Sequence, residues 1–223
     1  MQLAASGYEL VLTCRHGRAH AETVAAKIRQ QGGSVEIHEV DLEDSAAIRT
    51  FAESIGPEPI DALVQAAGSF DEGPFAKIDD EMLQRHYRAN ASGPALLVQA
   101  LEQRLRASTR TGGACVVFFG DIHAEQSPRP GATAYLLSKA ATHALVRLLA
   151  VELAPVRVLG IAPGVIGWPE DWTDAQQQAY LRRVPLGRAG TSEETARLVE
   201  CLVRDATYLT GVILPLDGGR HLR

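Results

Sequence analysis

Short apolar runs alternate with helix-length amphipathic stretches along this chain. Residues 9–14 form a buried run of strand length, and residues 34–40 alternate polar with apolar side chains, as a strand with one exposed face does. Further strands are predicted over residues 62–66, 114–119, 156–161 and 211–216, and the run at 114–119 is apolar on both faces. Between them, residues 19–31 set Val24, Ala25 and Ile28 on one side of a helix that Gly32-Gly33 ends. Asp44 or Ser45 can cap a helix carrying Ile48, Phe51 and Ile55. Long helices are predicted over 79–107 and 134–153, the first interrupted after Asn90 by Ser92-Gly93-Pro94, which marks a kink. Strands apolar on both faces and alternating with helices predict a doubly wound α/β fold, a parallel sheet flanked by helices. Without a repeat, a low-complexity segment or a linker, residues 1–223 read as a single domain.

Such sheets bind ligands beyond the carboxyl ends of their strands, and that is where the unusual residues cluster. The third strand runs into Gln65-Ala66-Ala67-Gly68-Ser69-Phe70, whose small residues let a ligand approach the backbone. Gly120-Asp121 follows the fourth strand, and Ala162-Pro163-Gly164 the fifth. Tyr135 and Lys139 lie four apart, on one face of a helix. An ammonium beside a phenol favours phenolate and lowers the tyrosine pKa from its usual ~10. A tyrosine tuned that way passes a proton near neutral pH.

A hydrophobic content of 46% with 22% charged residues suits a globular protein with a core. The net charge of −5 and the lack of a basic block argue against a nucleic-acid partner. Cys14, Cys115 and Cys201 have no metal or disulfide spacing, so no metal is expected, and free thiols fit a reducing cytoplasm. The N-terminal residues do not read as a signal peptide, and no segment reads as a membrane span.

Taken together and in order, these residues resemble the short-chain dehydrogenase/reductase family over essentially the whole chain. Asp41-Leu42 looks like the family's adenine-contacting turn, and Gln65-Ala66-Ala67-Gly68 stands where the family has Asn-Asn-Ala-Gly. Asn90 matches the helix asparagine of the proton relay, Tyr135 and Lys139 the catalytic pair, Pro163-Gly164-Val165 the turn beside the nicotinamide, and Asp217-Gly218-Gly219 the C-terminal signature. The resemblance implies a Rossmann-like fold and hydride transfer from a nicotinamide cofactor to a C=N or C=O carbon of a small molecule. Tyr135 would supply the proton, Lys139 would lower its pKa and hold the nicotinamide ribose, and Asn90 would position a water.

Within the family the chain is most similar to pteridine reductases. Most members place a serine about 13 residues before the tyrosine; here Asp121 stands 14 before it, and pteridine reductases carry an aspartate at that site. In Ser69-Phe70, the phenylalanine matches the one that stacks a pterin ring against the nicotinamide. Asp121 would bind substrate or share proton donation. Arg15 matches the position that binds the NADP 2′-phosphate, with His16 and Arg18 to assist, and no acidic residue stands at that strand end to favour NAD. Plainer readings stand beside these: Asp121 as a turn cap, Phe70 as core packing, Asn90 as a structural amide, Arg15 as a solvated cation. Trp168-Pro169-Glu170-Asp171-Trp172 lies in the substrate-loop region and lines a pocket or packs a lid.

The expected activity is an NADP(H)-dependent reduction of a dihydropterin or dihydrofolate. The alternatives are a reductase of a 3-oxoacyl thioester or small ketone, and a catalytically silent oligomerising scaffold. Relatives form dimers and tetramers through helices matching 79–107 and 134–153. No Gly-x-x-x-Gly-x-Gly loop occurs, and residues 2–8 resemble the end of the helix that follows it in the family. The first strand and glycine-rich loop are therefore expected to be missing, through a late start codon or genuine shortening. Their loss leaves a gap between the strands at 9–14 and 62–66 or forces them together. It also removes the backbone N–H groups that hold a pyrophosphate, so poor NADPH binding is expected.

Overall fold

The computed structural model describes residues 1–168 and 172–223. In chain order it contains α1 (Gln2–Ala5), β1 (Leu10–Cys14), α2 (Arg18–Gln30), β2 (Val35–Glu39), α3 (Ser45–Ser54) and β3 (Ala62–Gln65). There follow α4 (Asp80–Tyr87), α5 (Gly93–Arg106), β4 (Cys115–Phe119), α6 (Thr133–Glu152), β5 (Arg157–Pro163), α7 (Asp174–Leu181), α8 (Ser192–Arg204) and β6 (Ile213–Leu216).

All strand pairs are parallel, in register from Leu10↔Val35 in one ladder and Ala62↔Cys115 and Cys115↔Arg157 in the other. The fold is the expected parallel sheet covered by helices, but its hydrogen bonding falls into two ladders. β1 pairs with β2, and β3-β4-β5-β6 form a second ladder with no strand pairing to the first among the described residues. Of the two expected outcomes for those neighbouring strands, a gap is found. Apolar packing joins the halves: Tyr8 is buried with Cys115, Val117 and Leu159, and Leu10, Ala62 and Val64 pack on that cluster. The Arg110 guanidinium covers the Tyr8 ring at 4.1 Å.

Period two decides the layers. On β4, Val116 and Phe118 face a core with Ile48, Phe51, Val98 and Leu101, while Cys115 and Val117 face Val199, Leu202 and Val203 of α8. Both faces are buried, as the unbroken apolar run required. Asp44 caps α3 by accepting from the Ala46 N–H at 2.8 Å, and Thr191 with Glu194 forms a capping box on α8.

Two expectations change in shape. The predicted helix 79–107 is α4, a wider π-type turn at Arg88–Ser92, and α5, so the interruption after Asn90 widens the helix. The expectation that no segment is apolar and long enough for a membrane meets one exception, α6, with 20 residues. That helix packs against β5, β4 and α4 and buries Ser138, Lys139, Thr142 and His143, which explains its composition as a core helix.

Candidate active site

Beyond the carboxyl ends of β3, β4 and β5, α6 brings Tyr135 and Lys139 into the protein, at 9% and 7% exposure. Tyr135 donates its hydroxyl proton to Asp121 Oδ2 at 3.0 Å. Asp121 also accepts from the His123 N–H at 2.8 Å, so the turn-cap reading and the site reading both hold at once. The 14-residue offset is absorbed because the loop after Asp121 returns Tyr135 to it.

The charge balance differs from the lysine-tuned phenol expected. Burial and the Asp121 carboxylate push the Tyr135 pKa upward, with Arg129 opposing. Lys139 points its Nζ at the Phe119 carbonyl, 2.8 Å away, and stands 5.8 Å from the Tyr135 ring centre. Burial lowers the Lys139 pKa to about 8, with Asp121 opposing. In this arrangement burial and the Asp121 carboxylate outweigh the opposing Arg129 guanidinium, and Tyr135 is held protonated.

Asn90 sits at the centre of the π-type turn and is 2% exposed. Its Oδ1 accepts from the Ser69 N–H at 2.9 Å, and its Nδ2 donates to the Ser69 carbonyl at 3.0 Å and to Ser138 Oγ at 2.8 Å. The amide therefore clamps the turn after β3 onto α6. These contacts are those of a structural amide. Gly68 is required by the same closeness: a Cβ there would stand 2.4 Å from Asn90 Oδ1.

Phe70 is 53% exposed, so it is not core packing. Its ring meets the Tyr135 ring edge-on at 4.8 Å, and the Arg129 guanidinium lies 5.4 Å from it. Sequence reasoning missed His86 and Arg129 here. His86 is fully buried, pairs through Nδ1 with Ser69 Oγ at 2.8 Å and lies 6.2 Å from the Tyr135 ring. Its place four residues before Asn90 on the same helical path was the available signal. Desolvation lowers its pKa, so it is neutral at neutral pH.

The other expected residues follow the carboxyl ends of β3 and β5 at one end and of β1 and β2 at the other. Pro163 ends β5, Gly164 donates to the Leu216 carbonyl at 3.0 Å, and the Val165 carbonyl accepts from Gly190 at 3.0 Å. Ala66 and Ala67 lead from β3 to Gly68. At the far end, Arg15 meets Asp41 Oδ2 at 3.0 Å and also pairs with Glu43, so it is not simply solvated. Leu42 packs on the core, and His16 is exposed. Trp168 stacks on Trp172 at 5.6 Å and meets Tyr180 at 5.9 Å. Those aromatic partners are not the ones around Tyr135. The middle of that tryptophan stretch, residues 169–171, lies outside the described residues.

The sequence model described as enoyl-(acyl carrier protein) reductase matches residues 1–221. An uncharacterized oxidoreductase of Bacillus subtilis is 31% identical, over 98% of this chain and 91% of its own length. This chain belongs to the short-chain dehydrogenase/reductase family. Pteridine reductase 1 of Leishmania tarentolae is 30% identical, over 99% of this chain and 90% of its own. Cyclopentanol dehydrogenase of Comamonas testosteroni is 33% identical, over 87% and 80%. A short-chain dehydrogenase/reductase of Burkholderia xenovorans superposes with a TM-score of 0.91 at 27% identity, covering 100% of this chain and 91% of that one. The protein is thus an oxidoreductase of a family that uses NAD(P) cofactors and small-molecule substrates.

Proposed function

We propose that this chain is an NADPH-dependent reductase of a flat, pterin-like heterocycle, with Tyr135 as proton donor. The observation that carries the proposal is the Tyr135–Asp121 hydrogen bond at 3.0 Å beside the half-exposed, edge-on Phe70 ring. A flat ring can lie on Phe70, where stacking favours it, and present a reacting nitrogen or oxygen to Tyr135. The likeness to Pteridine reductase 1 points the same way.

The chain's residues fit a dinucleotide at its two ends. At one end Gly68 lies packed against Asn90 with the Lys139 Nζ close by, and Lys139 keeps donors beyond its bond to Phe119. At the other, Arg15 and Asp41 face each other. When bound, the nicotinamide supplies the hydride. The residues then manage the proton. Burial and Asp121 keep Tyr135 protonated until a strong base develops on the substrate. A charged Lys139 nearby stabilises the phenolate left behind. Asp121 is the acceptor that orients the hydroxyl and, when ionised, cannot itself donate. Asn90 and Ser138 hold the turn that carries Ser69 and Phe70.

A choice of NADP over NAD rests on Arg15, and its pairing with Asp41 and Glu43 means that a 2′-phosphate must displace carboxylates. No glycine-rich pyrophosphate loop occurs in these 223 residues. Weak NADPH binding is expected, and calorimetric titration checks it; micromolar affinity overturns that expectation. Turnover is therefore to be assayed at millimolar NADPH, with dihydrobiopterin and dihydrofolate against acetoacetyl thioester and cyclopentanone. Reduction of a carbonyl compound alone sinks the pterin reading in favour of the carbonyl reductase reading, to which the Comamonas relative points. Turnover that vanishes in Tyr135→Phe rules out the silent scaffold. Pairing of copies belongs to the same proposal: α5 and α6 leave Leu96 and Leu148 exposed along a groove of about 640 Å³.

A further inference from the structure

We propose that His143 is a positioning residue of this centre, holding the Asp121 backbone so that the carboxylate meets the Tyr135 hydroxyl. This rests on the reductase reading and deepens it, adding a residue that acts through Asp121 without touching substrate.

Tyr135, Lys139 and His143 follow one another four residues apart along α6 and so share one face of it. That face grips three consecutive residues at the end of β4. Lys139 Nζ donates to the Phe119 carbonyl at 2.8 Å. The Asp121 N–H donates to His143 Nε2 at 3.3 Å, and the Tyr135 hydroxyl donates to Asp121 Oδ2 at 3.0 Å. Between them, the Gly120 N–H donates to the Ile161 carbonyl of β5 at 2.7 Å. Tyr135 therefore meets the carboxylate of Asp121 while His143 fixes the backbone that carries it.

Gly120 makes this grip possible. A Cβ there would stand 2.1 Å from His143 Nε2 and 2.5 Å from its Cδ2. Gly120 is not among the glycines with positive φ, so the ring calls for glycine here and the turn does not. The imidazole is 3% exposed.

Accepting from an amide needs a lone pair on Nε2, so the ring is neutral and carries its proton on Nδ1. Nδ1 faces Glu125 Oε1 at 3.3 Å, a contact that favours that tautomer although it is not aligned as a hydrogen bond. Arg147, one turn further along α6, holds Glu125 at 2.8 Å. Asp121, Glu125 and Arg147 are the charged groups around the ring. Burial disfavours the charged imidazole, which would donate from both nitrogens and release the Asp121 N–H.

The first test needs no turnover. His143→Leu removes the acceptor, and His143→Gln returns one, because its amide oxygen reaches about where Nε2 stands. Tyr135 is expected to ionise at lower pH in His143→Leu than in the wild type, read by ultraviolet titration against Tyr135→Phe. The shift should be largely reversed in His143→Gln. A lowered melting temperature in His143→Leu with an unchanged Tyr135 titration overturns the proposal, because the ring is then packing alone. Gly120→Ala presses on the ring from the other side and should give the same shift. In a His143→Ala background, where the ring is gone, adding Gly120→Ala should change nothing further. Full additivity of the two changes overturns the link between them.

The second test uses turnover at millimolar NADPH. His143→Leu is expected to lower kcat by about 10- to 100-fold, the scale of a misplaced reacting group, with KM little changed and kcat partly restored in His143→Gln. A raised KM at unchanged kcat overturns the assignment. A shifted Tyr135 titration together with no turnover in the wild type keeps the hold on Asp121 and sinks the reductase reading.

Discussion

The Tyr135 hydroxyl donates a hydrogen bond to Asp121 while Lys139 Nζ donates to the Phe119 carbonyl, and this division of contacts sets the electrostatics of the centre. Replacing Asp121 by Asn removes the carboxylate that raises the phenol pKa, so the tyrosine should ionise at lower pH, read by ultraviolet titration against Tyr135→Phe. An unchanged titration would show that burial alone holds the proton. Tyr135→Phe itself is expected to lower kcat by about 10²–10⁴-fold, the usual scale of a lost general acid. Lys139 has a native pKa of about 8 against 10.5 for the ordinary side chain. The unfolded chain therefore binds more protons between pH 8 and 10.5, and this group makes stability rise with pH across that window. Lys139→Met should flatten that slope in denaturant unfolding.

Among the elements, the π-type turn at Arg88–Ser92 and the C-terminus of α8 each depend on one buried polar side chain. Asn90→Ala would strand the Ser69 N–H and carbonyl, at about 1–3 kcal/mol for each group left unsatisfied, while the Ser138 hydroxyl keeps its bond to the Tyr135 carbonyl. A net loss of roughly 3 kcal/mol in urea unfolding is expected, together with lost turnover. Arg157, 4% exposed at the start of β5, donates to the carbonyls of Gly112, Leu202, Val203 and Ala206. Two of those acceptors, Leu202 and Val203, lie in the last turn of α8, where carbonyls lack intrahelical partners and a cation is favoured, and Ala206 lies just beyond it. Arg157→Met should cost about 2–4 kcal/mol by the same measurement. The apolar periodicity showed the strands and the helices α2 to α6, because burial on one or two faces writes directly into spacing, but not α7 or α8. It did not show the width of the turn at Asn90, because a π-type turn and a kink break the pattern alike. Nor did it show Arg157, whose partners come from segments some 45 residues away.

At the scale of the whole molecule, three histidines are buried: His86 at 0%, His123 at 6% and His143 at 3% exposure. Desolvation is the largest cause lowering each pKa below 6.5. As pH falls through about 6.5, the unfolded chain takes up protons that the native chain refuses, so stability falls. A drop in melting temperature is expected from about pH 7.5 to 5.5, well above the range where Glu125, Glu194 and Glu200 protonate. His143→Gln should lessen the drop; an unchanged pH dependence in that variant would place the effect elsewhere. The exposed leucines on α5 and α6 belong to this scale too. Leu148→Glu should shift sedimentation toward monomer if copies pair there, and an unchanged sedimentation profile would set that pairing aside.

The residues alone determined the parallel α/β fold, the shared face of Tyr135 and Lys139, and the small-residue turns at the strand ends, because each is written in local spacing or side-chain size. Tertiary structure decided what those residues do to each other. Asp121, on a different loop, reaches Tyr135 more closely than the lysine four positions along the same helix. Glu43 and Asp41 converge on Arg15, and Arg220 is left buried against Tyr180. Charge acts through distance and burial, and neither is set until strands far apart in the chain are packed together.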